Sequence, residues 1–196
     1  MKGLEGLTLV HYCHKNCEPL HTIMSLPREE AFALAGALAR ENPEETAFGR
    51  FADFENYYPR RLEVERRLYQ RFLRLGGRPE QEHPLSFVLE GSEMLDRWFG
   101  RGLAVRAPLS AIPAQLVSFT YGDSMTVTER QGDFTMLTKA MLAKAIEESG
   151  GAGRFVEEVN GRFNYMEVQF WGDRAALGRG SVHKEEFMTK CWPPAV

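Results

Sequence analysis

Charged and polar side chains stand at several places where the period of the chain calls for hydrocarbon. After Pro59, a helical spacing of 100° per residue gathers Leu62, Val64, Leu68, Tyr69, Phe72, Leu73 and Leu75 on one arc, and Arg61 and Glu65 project into that same arc. A charge aimed at a core must be paired or line a polar cleft, because leaving it alone there is costly. The spacing therefore predicts a structural ion pair or the wall of a ligand pocket.

The segment 163–171 alternates. Phe163, Tyr165, Glu167, Gln169 and Trp171 fall on one side, with Asn164, Met166, Val168 and Phe170 on the other. A carboxyl between rings is partly desolvated, which raises its pKa toward the range that acid–base or cation-stabilising chemistry uses. The same rings, if exposed, form a contact surface for a protein, a ligand or a second copy of the chain.

His11, Cys13, His14, Cys17 and His21 crowd into eleven residues, but the C-x3-C-x3-H run has no second knuckle, and the remaining cysteine is Cys191. Structural zinc normally needs two such knuckles. Free buried thiols are the expectation, without a metal; a nucleophilic cysteine with a histidine base is the reactive alternative. Opposite the apolar arc of the Pro59 helix lie Arg60, Arg67, Arg71 and Arg74, with Glu63 and Gln70. Arginine suits phosphate, yet there is no companion basic patch with interleaved aromatics, so nucleic acid is disfavoured and a solvated face with a Glu63–Arg67 pair is expected.

The elements that must position these residues follow from punctuation and period. Leu7 to Cys13 reads as a strand with Leu7, Leu9, His11 and Cys13 on one face, and a short helix is expected over 18–24. Pro27 opens a helix to about Arg40, buried through Phe32, Leu34, Ala35 and Leu38 and ended by Asn42-Pro43; Pro59 opens the second, closed by Gly76-Gly77. Strands are expected over 85–89, 103–107, 115–121 and 163–171, with Ser92 and Thr135 as helix caps; 181–192 is ambiguous. Helices early and strands late, without strict alternation, indicate a single α+β domain with helices packed on a mixed or antiparallel sheet. The 196 residues are 43% hydrophobic and 26% charged with a net charge of −3, and no apolar run is long enough to span a bilayer. An odd cysteine count and the absence of a secretory pattern point to the cytoplasm.

Two local resemblances add expectations. Val117 to Met125, V-S-F-T-Y-G-D-S-M, resembles the first block of the GDSL-type (SGNH) hydrolases, which implies Ser124 as a nucleophile; the D-x-x-H of that family is missing, and His183 has Gly180 three before it. The physical alternative is a turn built on Gly122 and Asp123. Leu9-Val10-His11-Tyr12, then Leu85 to Leu89, then Tyr165-Met166-Glu167-Val168-Gln169-Phe170-Trp171 resemble the H-Y-E order of ADP-ribosyltransferase-like folds. That resemblance implies NAD as cofactor, His11 on a ribose, Phe87 in the aromatic position (with Tyr57, Tyr58 or Tyr121 as alternatives) and Glu167 as the catalytic carboxylate. Tyr12, Arg61, Glu65, Tyr165 and Gln169 complete the expected ligand-binding set, and His11 and Glu167 must then line one concave site. The stretch 57–125 also resembles a family of bacterial proteins of similar size with no established function, which adds a prior on fold but no chemistry.

Overall fold

The computed structural model describes residues 3–177, in which one antiparallel six-stranded sheet carries helices on both faces. The strands are β1 (Thr8–Cys13), β2 (Leu85–Leu89), β3 (Leu103–Pro108), β4 (Val117–Tyr121), β5 (Met136–Thr138) and β6 (Met166–Phe170), in the order β3-β1-β2-β6-β4-β5. The helices are α1 (Arg28–Glu41), α2 (Phe54–Arg74), α3 (Glu93–Trp98), α4 (Ser124–Gln131), α5 (Lys139–Glu148) and α6 (Ala152–Phe163). The α+β class is the one expected, and among the described residues no helix is long and apolar enough to cross a membrane.

Register decides which side chains can meet. Val10 pairs with Val88, Val88 with Glu167, and Glu167 with Thr120, so these four residues form one row on one face. Phe87, Val168 and Phe119 form the adjacent row, which points the other way. That second face is almost wholly hydrocarbon. Leu9, Phe87, Phe119, Val168 and Phe170 pack there against Leu142 and Ile146 of α5 and Phe155 and Val159 of α6. The first face is covered in part by α2, whose Val64, Leu68 and Phe72 bury Trp171, Phe134 and Met136. The sheet thus has an apolar and a polar face.

Several boundaries differ from the sequence reading, each for a local reason. Helix α2 starts at Phe54, five residues before Pro59, because Phe54, Tyr57 and Tyr58 join Phe32, Phe48 and Phe51 in an aromatic cluster that anchors the first turns on α1. One missing N–H inside the helix is tolerated against that packing. The buried stripe of α2 is narrower than the apolar arc, since Leu62, Leu73 and Leu75 are exposed. Segment 163–171 is a strand only from Met166. Phe155, Val159 and Phe163 repeat every four residues, forming α6, which Asn164 ends in the left-handed region at φ 68°. Helix α4 forms where a turn was expected, since the Asp123 side chain accepts from Thr126 N and caps it. Thr138, rather than Thr135, caps α5. Residues 18–24 give a single 3-10 turn, Ile23–Ser25, and β4 begins at Val117 after another. The segment 181–192 lies outside the described residues, as do Cys191 and His183.

Candidate functional site

The polar face carries a chain of hydrogen bonds whose direction is forced. Trp171 has only a donor, so Ser118 Oγ must accept from its Nε1 at 2.9 Å. The Ser118 hydroxyl then donates to Gln169 Oε1 at 2.8 Å, which orients the amide so that its Nε2 donates to Thr120 Oγ1 at 2.9 Å. Thr120 in turn donates to Glu167 Oε2 at 3.3 Å; the other acceptor within its reach, the Gly122 carbonyl, is at 3.5 Å. The Ser124 N–H, in the first turn of α4, donates to the same oxygen at 2.8 Å. Every donor points at one carboxyl. Ser118, Thr120, Ser124 and Gln169 are fully buried, and Glu167 is nearly so.

Burial is the main reason the Glu167 pKa is raised, and the charge of Asp123 adds to it; Arg61 and the Ser124 amide oppose both. Asp123 accepts from the Tyr165 hydroxyl at 3.3 Å. Burial and the neighbouring Asp123 and Glu167 push the Tyr165 phenol upward, so it stays a donor.

Across from this chain, α2 supplies a second carboxyl of opposite character. Arg61 Nε donates to Glu65 Oε1 at 2.6 Å, and His83 Nδ1 lies 2.6 Å from Glu65 Oε2. Burial alone would raise the Glu65 pKa, but the charge of Arg61 and the His83 hydrogen bond outweigh it and leave it lowered. Arg61 is held firmly protonated against its burial by Glu65, with smaller help from Tyr57 and Glu167. Its Nη2 also donates to Ser86 Oγ at 3.3 Å, and Ser86 is exposed, which marks where the network meets solvent. Two buried glutamates thus lie within the field of one arginine, which among the described residues is paired with Glu65 alone, and their environments drive their acidities apart, the pattern by which acid and base roles are usually divided.

Six of the eight expected site residues lie on the polar side. Arg61, Glu65, Tyr165, Glu167 and Gln169 belong to the network, and Tyr12 lies beside it, its hydroxyl accepting from Ser92 N at 3.0 Å. His11 and Phe87 do not join them. They belong to the apolar face, with ring centroids 5.4 Å apart. His11 Nε2 accepts from Leu20 N at 3.1 Å, so Nδ1 carries the proton and donates to the Ser86 carbonyl at 2.8 Å. Both nitrogens are used and burial lowers its pKa, so the imidazole is neutral and fixed. His11 and Glu167 therefore do not line one site, because one residue of register puts them on opposite sides of the sheet. The aromatic contact surface is likewise absent. Trp171 is fully buried, stacked on Phe72, Tyr165 is buried too, and Phe163 sits at the end of α6 beside Tyr121.

The Ser124 hydroxyl is buried near Glu167 without an aligned hydrogen bond, and among the described residues no histidine is hydrogen-bonded to it as the hydrolase block would require. Cys13 and Cys17 are free; burial pushes their thiols up to about 12 and about 11, so neither is a ready thiolate. Among the described residues no three His, Cys, Asp or Glu side chains are grouped to hold a metal. Sequence reasoning gave Asp123 only a turn role and missed His83, Ser118 and Thr120, along with Lys139, which is buried on the apolar side with Nζ donating to the carbonyls of Leu109 and Ile112 at 2.7 Å. Compared with known protein families, characterised proteins and solved structures, the chain matches none of them.

Proposed function

We propose that the polar face is an acid–base site for a small ligand, with Glu167 as the group that gives and takes the proton and Arg61 as the cation that draws an anionic or carbonyl oxygen toward it. The observation that carries this reading is the one-way chain from Trp171 to Glu167. Fixed donors end on Oε2, which leaves Oε1 to hold the proton. When Glu167 gives that proton to a ligand oxygen, the charge left behind is met by the Thr120 hydroxyl, the Ser124 amide and the nearby guanidinium without rearrangement. Tyr165, kept protonated, is the second available donor. Glu65 stays ionised and holds Arg61 in place. A carboxyl raised by burial and a buried glutamate–arginine pair are also expensive to bury, and replacing such groups with hydrocarbon is often neutral or stabilising. Their presence is better explained by chemistry than by stability.

A thermal-shift series tests this with small carboxylates, phosphate esters, nicotinamide and NAD against the wild type and Glu167→Gln. Glutamine can accept from Thr120 and Ser124 as the carboxylate does, so the variant keeps its fold and loses only the proton. A ligand that raises Tm in the wild type and not in Glu167→Gln supports the site. Equal shifts in both proteins, or none from any compound at millimolar concentration, would overturn it.

A further inference from the structure

The basic side of α2 is not simply a solvated face. Arg66, Arg67, Gln70, Arg71 and Arg74 line a cleft of about 180 Å³ closed on its far side by Asp133 and Phe134. How that wall is built matters. Gly132, in the left-handed region at φ 77°, caps α4 through its N–H to the Thr128 carbonyl and turns the chain so that Asp133 faces α2. Arg67 Nη2 donates to the Gly132 carbonyl at 2.9 Å and to Asp133 Oδ1 at 3.0 Å, while Arg71 Nη2 donates to Asp133 Oδ2 at 2.9 Å. Both guanidiniums lie over the buried Phe134 ring, 5.7 and 5.8 Å from its centroid. The pair is therefore oriented before any ligand arrives, which reduces the entropy lost on binding.

The charge in the cleft is not balanced. Arg67 and Arg71 share the single carboxylate of Asp133, and Arg66 is paired bidentately with Glu63 through two contacts of 2.9 Å. Arg74 donates from Nε to the Gln70 carbonyl at 3.2 Å and has no carboxylate partner among the described residues. Four guanidiniums against two carboxylates leave a surplus of two positive charges around one concavity.

We infer that this cleft is a phosphate-binding site, fitted to a phosphate or diphosphate group carried by a small molecule. Guanidinium forks match phosphate oxygens, and each arginine bound to Asp133 through one nitrogen keeps further N–H groups for an anion. The volume is below the range of about 300–1,000 Å³ that holds a whole drug-sized ligand, so it takes the charged group and leaves the rest of the molecule outside. A single concavity is also the wrong shape for a nucleic-acid backbone, which needs a track of such contacts.

Calorimetric titration with inorganic pyrophosphate at low ionic strength tests the inference. Saturable one-to-one binding is expected, weakened by about tenfold or more in Arg67→Gln/Arg71→Gln and unchanged in Arg154→Gln, whose side chain pairs with Glu158 on α6. Because the double variant also uncovers Phe134, Arg74→Gln is the second probe. It breaks only the contact with the Gln70 carbonyl, and it too is expected to weaken binding by several-fold. Equal affinity in wild type and both variants, or no saturation, overturns the site. Tighter binding of a single-stranded oligonucleotide, with a salt dependence counting several phosphates, overturns the small-ligand assignment.

Discussion

The two faces of the sheet are built from the same strands and yet follow different rules. On the apolar face, large hydrocarbon side chains interlock, and the polar groups that intrude are satisfied by backbone. His11 bonds a carbonyl and an amide, and Lys139 bonds two carbonyls. On the polar face, side chains satisfy one another in a line that ends on a buried carboxyl. The difference shows where the molecule is stabilised and where it is adapted to do something else. Buried polar groups cost little when every partner is present and a great deal when one is removed, so the second face is specific before it is stabilising.

Truncation on the apolar face has the largest expected effect. Phe87→Ala removes a buried ring that meets Phe170 edge-on, and a loss of about 3–5 kcal/mol in urea-unfolding free energy is expected. A smaller loss would mean that this face is looser than its packing indicates. On the polar face, Glu65→Ala strands Arg61 and His83, with an expected cost of about 3 kcal/mol. The sharper experiment changes both members of the pair. Arg61→Met/Glu65→Leu should regain the part of that loss due to Arg61, leaving only the His83 contact unmade, because the pair's attraction does little more than offset its desolvation. A double variant as unstable as the single one would make the ion pair a stabilising device and erase the contrast between the faces.

The pH dependence should run in opposite directions at the two carboxyls. Glu167 has a raised pKa, so the native state binds its proton more tightly than the unfolded chain does. Its contribution is complete at acid pH and is lost as pH climbs through the native value. Glu65 has a lowered pKa, so its contribution is complete above the ordinary glutamate range and is lost as pH falls through the native value. Urea-unfolding free energies across acid and neutral pH should therefore lose their alkaline-side decline in Glu167→Gln and their acid-side decline in Glu65→Gln. The same slope in both variants would mean that the two carboxyls share one environment after all.

Some of this was legible in the sequence. A period of 100° turned Arg61 and Glu65 inward, and alternation put Glu167 and Gln169 on one face, because both rules depend only on neighbours along the chain. The rest depends on pairing between distant segments. Thr120 reaches Glu167 across 47 residues and Trp171 reaches Ser118 across 53, so the relay exists only once β4 lies beside β6. The same nonlocality explains the failure of the His11–Glu167 pairing. Each lies on a strand, but facing is set by the register through β2, which neither segment records. Phe163 was misplaced for a different reason: its spacing fits both a strand of period two and a helix with Phe155 and Val159, and only the turn at Asn164 distinguishes them.

The smallest effect tests the direction of the relay. Trp171→Phe keeps a ring against Phe72 but removes the indole N–H, so Ser118 Oγ loses its donor. About 1 kcal/mol of stability should be lost, the usual net worth of one hydrogen bond. The more telling readout is remote. With the indole gone, Ser118 can turn its hydroxyl away from Gln169, which frees the amide from its fixed orientation and weakens the donor that Thr120 presents to Glu167. Support for the carboxylate falls, so the Glu167 pKa, already raised by burial, should rise further in Trp171→Phe when followed by carbon-13 NMR of its carboxyl. Cooperative chains pass such changes along their length, whereas independent pairs do not. An unchanged Glu167 titration with the same loss of stability would reduce the relay to separate contacts, and the polar face would then differ from the apolar one in composition alone.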